Sequence, residues 1–248
     1  MKSYWQNLTA TFAAALALAV IPMIGSAQSS TDSLVYSPSD RPFGKSYSQW
    51  SEEWWRWALA LPVDGHPFNT RGFDCNSTDN GQSGPVWFLG SSSTPPLVKR
   101  SCTIPVGTAV LVVPGNVECS SLESSFYQTY GTGGQSATER RDCAKFYADH
   151  IVKTSLFCTI DGLNLVANVG DFRFQSSDFT FSAPTPWIFG TTGGTGKSTS
   201  DGYWIMLKPL SIGTHTLRCG GSLHFSTAEG DPFSADFGFG NIYSLTVQ

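Results

Sequence analysis

From Leu156 to Val247 the sequence is a succession of short apolar runs separated by Gly, Pro, Ser and Thr, and no part of the chain restricts its fold more. The runs are Leu156–Ile160, Asp171–Phe174, Phe179–Phe181, Trp187–Phe189, Tyr203–Leu207, Thr214–Arg218, Leu223–Phe225 and Ile242–Val247. Phe172 and Phe174, like Phe179 and Phe181, alternate at period two, so each segment buries one face of a strand. Val86–Leu89, the stretch around Cys102–Ile104, and Ala109–Val113 have the same character earlier in the chain. Many short strands at this spacing predict a mainly β protein, a two-sheet β-sandwich or jelly roll with two amphipathic helices packed against it. The Gly/Thr/Ser stretch 190–200 reads as a flexible loop within that domain, because strand patterns flank it on both sides. No internal repeat is evident.

The first helix is predicted over residues 46–61. Ser46 and Gln49 have the spacing of a capping box, and Pro62 stops the run after Leu61. At about 100° per residue, Trp50, Trp54, Trp57 and Leu61 fall within roughly 60° of one another and form an apolar stripe. Trp55 and Leu59 point the other way, beside an i, i+4 pair of Glu52 and Arg56. A second helix is predicted over residues 137–153, opened by a capping box of Ser136 and Glu139. Its apolar face carries Cys143, Phe146, Tyr147, His150 and Ile151. Residues 28–45 are polar and turn-rich apart from Leu34-Val35-Tyr36, and read as a lead-in along the surface.

Lys2, the apolar Leu8–Ile24 and the small residues Gly25-Ser26-Ala27 have the order of a secretory signal peptide spanning residues 1–27. The alternative, an uncleaved anchor, lacks the roughly 20 apolar residues of a span and is interrupted by Thr9, Thr11 and Pro22. Removing 27 residues from 248 leaves 221 for a single β-sandwich domain, residues 28–248. Six cysteines follow the cleavage point, an even count that implies disulfides in an oxidising, secreted or periplasmic compartment. Of the 15 possible connectivities, the local choice pairs Cys75 with Cys102, Cys119 with Cys143 and Cys158 with Cys219. None has C-x-x-C spacing, which argues against a zinc site or a thioredoxin-like pair. With 8 Trp, 17 Phe and only 14% charged residues the chain is too aromatic to be disordered. A net charge of −4 without a basic run excludes nucleic acid as a partner.

The candidate site residues are aromatic and acidic. Indole faces both fill cores and stack on sugar rings. Trp50 and Trp54 read as core, whereas Trp55, Trp57 and Trp87 are the candidates for ligand contact. Glu118 and Asn116 follow a buried strand, where scaffold-held loops carry chemistry. Glycoside hydrolysis needs two carboxyl groups, and Asp64, Glu123, Asp161, Asp201 and Glu229 are possible partners for Glu118. His66, at a turn after Asp64-Gly65, could overlook a cleft, which makes Glu118, His66 and Asp64 the candidate catalytic set. His150 reads as a hydrogen-bonded buried imidazole. His215 and His224 sit on neighbouring strand segments and could bind a metal only if a carboxylate joined them. No metal or other cofactor is assigned. Gly193-Gly194-Thr195-Gly196-Lys197-Ser198 fails as a phosphate loop, since its spacing is wrong and a strand pattern follows it. There is no G-x-S-x-G elbow. Asn76-Ser77-Thr78 is a glycosylation sequon that matters only in a eukaryotic host.

Trp50-Ser51-Glu52-Glu53-Trp54-Trp55-Arg56-Trp57, Gly81–Leu89 with its Gly84-Pro85-Val86-Trp87-Phe88-Leu89 core, Cys102-Thr103-Ile104-Pro105, Asp201-Gly202-Tyr203-Trp204 and Pro209–Thr216 resemble a family of exported bacterial proteins to which no reaction or ligand is attached. The resemblance spans nearly all of the chain after the leader and implies no site. Pro209–Thr216 also resembles the turn and late strand of Ig-like sandwich domains, which speaks to fold alone.

Together these readings predict an exported protein that binds or hydrolyses an extracellular carbohydrate or similar polymer, with part of its indole-rich face open beside acidic and imidazole groups. The alternatives are a non-catalytic structural or protein-interaction domain of the cell envelope, and a metal-dependent enzyme using the strand histidines. No membrane insertion is expected once the leader is removed.

Overall fold

The Trp-rich segment folds as helix α1 (Tyr47–Ala60), and its capping box forms as the sequence predicts, with Ser46 Oγ accepting from the Gln49 N–H. The computed structural model describes residues 34–68, 75, 81–90, 98–129 and 134–248. The leader over residues 1–27, the first part of the lead-in and the sequon lie outside the described residues. Trp50, Trp54, Trp57 and Leu61 are all buried, so the predicted stripe faces the core. Trp55 and Leu59, on the other side, are buried as well. The helix is therefore enclosed on both flanks. Trp54 is fully inaccessible and its Nε1 donates to the Leu89 carbonyl at 2.9 Å, which removes the cost of burying that N–H.

Among the described residues ten strands form two five-stranded sheets, consistent with the predicted sandwich. The first contains β1 (Val86–Phe88), β3 (Ala109–Ser120), β6 (Arg173–Gln175), β7 (Phe179–Ala183) and β8 (Gly194–Leu207); β3 and β8 run antiparallel at its centre. The second is ordered β2 (Val98–Ile104), β10 (Ala235–Val247), β9 (Gly213–Phe225), β4 (Phe157–Ile160) and β5 (Leu163–Asn164). Two pairings, β1 with β3 and β2 with β10, are parallel. Helices α2 (Ser124–Thr129) and α3 (Ala137–Asp149) lie between β3 and β4 in the chain.

The three disulfides pair as read from the sequence: Cys75–Cys102, Cys119–Cys143 and Cys158–Cys219. Cys158 and Cys219 face each other across β4 and β9, whereas Cys119–Cys143 fastens α3 to β3. Such a set fits an oxidising extracellular or periplasmic setting. Among the described residues no helix is long and apolar enough to cross a membrane.

Several boundaries differ from the sequence reading. Most of the stretch expected as a flexible loop, from Gly194 onward, is the first half of β8. Ser198, Thr199 and Ser200 are buried there, and Ser200 N–H donates to Ser176 Oγ at 2.8 Å. Small polar side chains are what a strand needs when neighbours press on both sides. Thr214–Arg218 and Leu223–Phe225 are one strand, β9, continuous through Cys219-Gly220-Gly221-Ser222. Trp187–Phe189 is a turn closed by a bridge between Trp187 and Gly190. The second helix stops at Asp149, with His150 as its C-cap, because Ile151 leaves it to bridge Leu223. Helix α2 is too short to show an apolar period and is not among the elements predicted from the sequence. The lead-in is not wholly superficial: Val35 is buried, and Tyr36 N–H donates to the Met206 carbonyl at 3.0 Å.

Gly202 is a point where backbone geometry admits only one residue. Its φ is +155°, and a Cβ there would lie 2.5 Å from Asn116 Cα and 2.6 Å from the Gly115 carbonyl oxygen. Neither neighbour is a movable side chain. Gly202→Ala is expected to lower the unfolding free energy by about 2 kcal/mol or more, measured by chemical denaturation.

A candidate acid pair in an aromatic cavity

The site is organised by the outer half of β3. The β3–β8 register shifts between Val112 and Gly115, and beyond this irregularity Asn116 and Glu118 follow at alternate positions of one face. They lie within the strand, not past it as the sequence reading had them, because Pro114 and Gly115 sit at the irregularity and do not end the pairing. After Ser120 the chain turns into α2, and Ser120 Oγ donates to Glu123 Oε2 at 2.8 Å. Tyr127, from α2, donates its hydroxyl to the Glu118 carbonyl at 2.8 Å. The Cys119–Cys143 bridge brings Tyr147 of α3 to the same place.

These elements enclose a cavity of about 520 Å³. Trp55 of α1, Phe68 and Phe189 wall one side; Phe126, Tyr127 and Tyr147 wall another; Leu223 and Phe239 reach in from the second sheet. The volume is within the range of about 300–1,000 Å³ usual for small-molecule sites. Phe126 is 53% exposed and Phe189 42% exposed, whereas Trp55 and Glu118 are almost wholly covered.

Glu118 and Glu123 meet inside this cavity. Ser198 Oγ donates to Glu118 Oε2, and Glu123 is within hydrogen-bond reach of the Glu118 carboxyl. Glu118 Oε1 faces no hydrogen-bond donor among the described residues. Burial is the larger cause, and the adjacent Glu123 charge the second, that hold Glu118 well above the usual carboxylate range. Burial also raises Glu123, against hydrogen bonds that lower it. Two carboxyl groups this close share a proton, because ionising both in a poorly hydrated space is too costly. The same burial, followed by the two acids' charges, pushes the Tyr127 phenol upward. Two further polar atoms of lining residues, Asn116 Nδ2 and Trp55 Nε1, are buried without an acceptor among the described residues. The cavity thus sets an acid pair within ring walls, beside two residues whose side-chain N–H groups have no acceptor among the described residues.

Of the residues singled out in the sequence, the fold brings together Trp55, Asn116 and Glu118, and it selects Glu123 from the possible acid partners. The others lie elsewhere. Trp57 packs on Trp54 and Phe88 at ring separations of 5.8 and 5.6 Å and does not line the cavity. Trp87, on β1, is half-buried and also outside it. The open indole face expected from the sequence is absent: Trp50, Trp54, Trp55 and Trp57 are each no more than 7% exposed.

His66 does not overlook a cleft. It is inaccessible, with Nε2 donating to the Ala58 carbonyl at 2.8 Å and Nδ1 accepting from the Phe68 N–H at 3.1 Å. Burial lowers its pKa to about 4, so the ring is a neutral clasp at the end of α1. Asp64 is exposed beside Pro62 and Pro186 at a separate shallow depression. His215 and His224 are on one strand, not two, and each pairs with its own carboxylate, Asp161 and Asp236, at 2.8 Å. Among the described residues no group of three metal-ligating side chains converges. His150, as expected, is hydrogen-bonded, to the Phe146 carbonyl and Asp231. Tyr127, Tyr147 and the phenylalanines of the wall carry no sign of a site in the sequence. Only the spacing of Glu118 and Glu123 across a turn could have suggested the acid pair.

The acid pair gives stability a definite pH dependence. The folded pair keeps its proton to higher pH than a free glutamate, about 4.3, so the folded chain binds more protons above that value. Unfolding free energy then falls as pH rises through the pair's titration. Glu118→Gln is expected to remove much of this fall, measured as denaturation midpoints from pH 5 to 9; parallel pH profiles would exclude a shared proton. His66 acts in the opposite sense: with its folded value near 4, it contributes a gain in stability between there and about 6.5 that His66→Gln should abolish.

No family model matches the chain, and no curated protein matches it. A cysteine protease inhibitor from Entamoeba histolytica is similar over 60% of this chain and 86% of its own, at 15% identity and a TM-score of 0.19. A score that low carries nothing about fold or activity.

Proposed function

We propose that the protein binds a terminal ring of an extracellular carbohydrate in the cavity between α1, α2, α3 and β3. The observation that carries this reading is the combination, around one cavity, of ring-lined walls, an acid pair and two lining residues whose N–H groups have no acceptor among the described residues. Aromatic faces suit the C–H faces of a sugar, and the donors and acids suit its hydroxyl groups. A cavity of this volume suits a single ring at a chain end.

Binding is favoured over hydrolysis. Glycosidases hold their two carboxyl groups about 5–5.5 Å apart, or about 6.5–9.5 Å when a water must fit between them. Glu118 and Glu123 are in hydrogen-bond contact instead. They can share, donate and accept a proton, but they do not flank a bond. The competing reading, a purely structural or interaction domain, draws on the sealed indoles of α1, which behave as core. It gives no role to the cavity.

The test is a panel of soluble oligosaccharides followed by tryptophan fluorescence, with reducing ends assayed in parallel. Saturable quenching without release of reducing ends is expected. Phe126→Ala, at an exposed position of the wall, should weaken binding by about three- to tenfold with little change in stability. Absence of saturable binding across the panel would favour the structural reading.

A further inference from the structure

The charge of the cavity narrows the guest. No lysine, arginine or histidine lines it among the described residues. The groups facing the acid pair are Ser198 from β8, Ser120 from the end of β3, Tyr127 from α2 and Tyr147 from α3. The nearby cations are engaged outside: Arg140 holds Asp178 at 2.7 Å, Lys197 lies 3.9 Å from the same carboxylate, and Arg56 holds Glu52 at 3.1 Å. Glu118 is 5% exposed, and its Oε1 is left without a donor. A buried acid pair with no counter-ion among the described residues, between faces that attract cations, is the complement of an ammonium group.

Resting on the carbohydrate reading above, we infer that the preferred guest is an aminated sugar with a free, unacetylated ammonium group seated against Glu118 and Glu123. Its ring oxygens or hydroxyls would approach Asn116 and Trp55, whose buried side-chain N–H groups have no acceptor among the described residues. The ammonium replaces the shared proton, which leaves to solvent, so charge is conserved in the cavity. An N-acetyl group would bring an uncharged amide where a cation is wanted, and a plain hydroxyl would leave the acids as they are. Binding is therefore proton-linked. At pH values where the amine stays charged, affinity increases as pH rises through the titration of the pair.

The experiment compares β-1,4-linked oligomers of glucosamine, N-acetylglucosamine and glucose by calorimetry on the intact protein, in two buffers of different ionisation heat. The expected result is at least about tenfold tighter binding of the glucosamine oligomer, roughly 1.4 kcal/mol, with net proton release that only this ligand shows. Glu118→Gln should erase both the preference for the glucosamine oligomer and the proton release. Glu123→Gln serves as the second variant, should the first unfold. Equal affinity for the three oligomers would overturn the ammonium assignment and leave the carbohydrate reading standing. No binding by any of them would overturn both.

Discussion

The burial of Trp54 is the contact on which the arrangement of this protein depends. Its ring packs edge-on against Trp55, Trp57 and Trp204 at 5.0 to 5.8 Å and is stacked with Phe68 at 5.9 Å. Trp204 belongs to the central strand of the first sheet, so the cluster fixes α1 to that sheet. A buried tryptophan removes some 150–250 Å² from water, and its N–H must find an acceptor; the Leu89 carbonyl supplies it. The rotation of α1 is then set. Trp55, one residue on, is directed at the cavity because Trp54 is directed at the core.

The cavity follows from that placement and from the Cys119–Cys143 bridge. Helix α1 forms one wall, and the bridge holds α3 against β3 so that Tyr147 forms another. Between them the ends of the two sheets do not close. An apolar gap of this kind would ordinarily be filled by side chains, since packing defects are costly. Here two carboxyl groups occupy its edge. Burying them works against stability, and Ser198, Ser120 and the shared proton offset only part of that cost. A cluster that the fold does not need for its own stability is a reason to place function there.

Aromatic residues serve two purposes in the same chain, and composition cannot separate them. The indoles of α1 are core, each with an environment as closed as that of the leucines beside them. The rings that line the cavity are mostly phenylalanine and tyrosine from five separate segments, and Phe126 and Phe189 remain open to solvent. Tryptophan is concentrated on α1, whereas the accessible rings lie elsewhere. The histidines make the same point: His66 is a neutral clasp at the end of α1, and His215 is tied to Asp161 at a turn.

Local signals in the sequence determined the elements that depend on neighbours in the chain. Both capping boxes, the apolar stripe of α1, the period-two phenylalanines and the sandwich class could be read there, because a side chain's own spacing fixes which face it shares. The disulfide pairing also followed the local choice. Only the tertiary structure decided where strands continue. Gly194–Ser200 is strand because β3 and β7 pair with it, and nothing within that stretch says so. Nor could spacing reveal that Trp55 would share the cavity of Glu118 and Glu123, or that His66 and Asp64 would not. Those relations join segments far apart in the sequence, and they are set by how two sheets and three helices pack, a matter of shape and desolvation that no single segment carries.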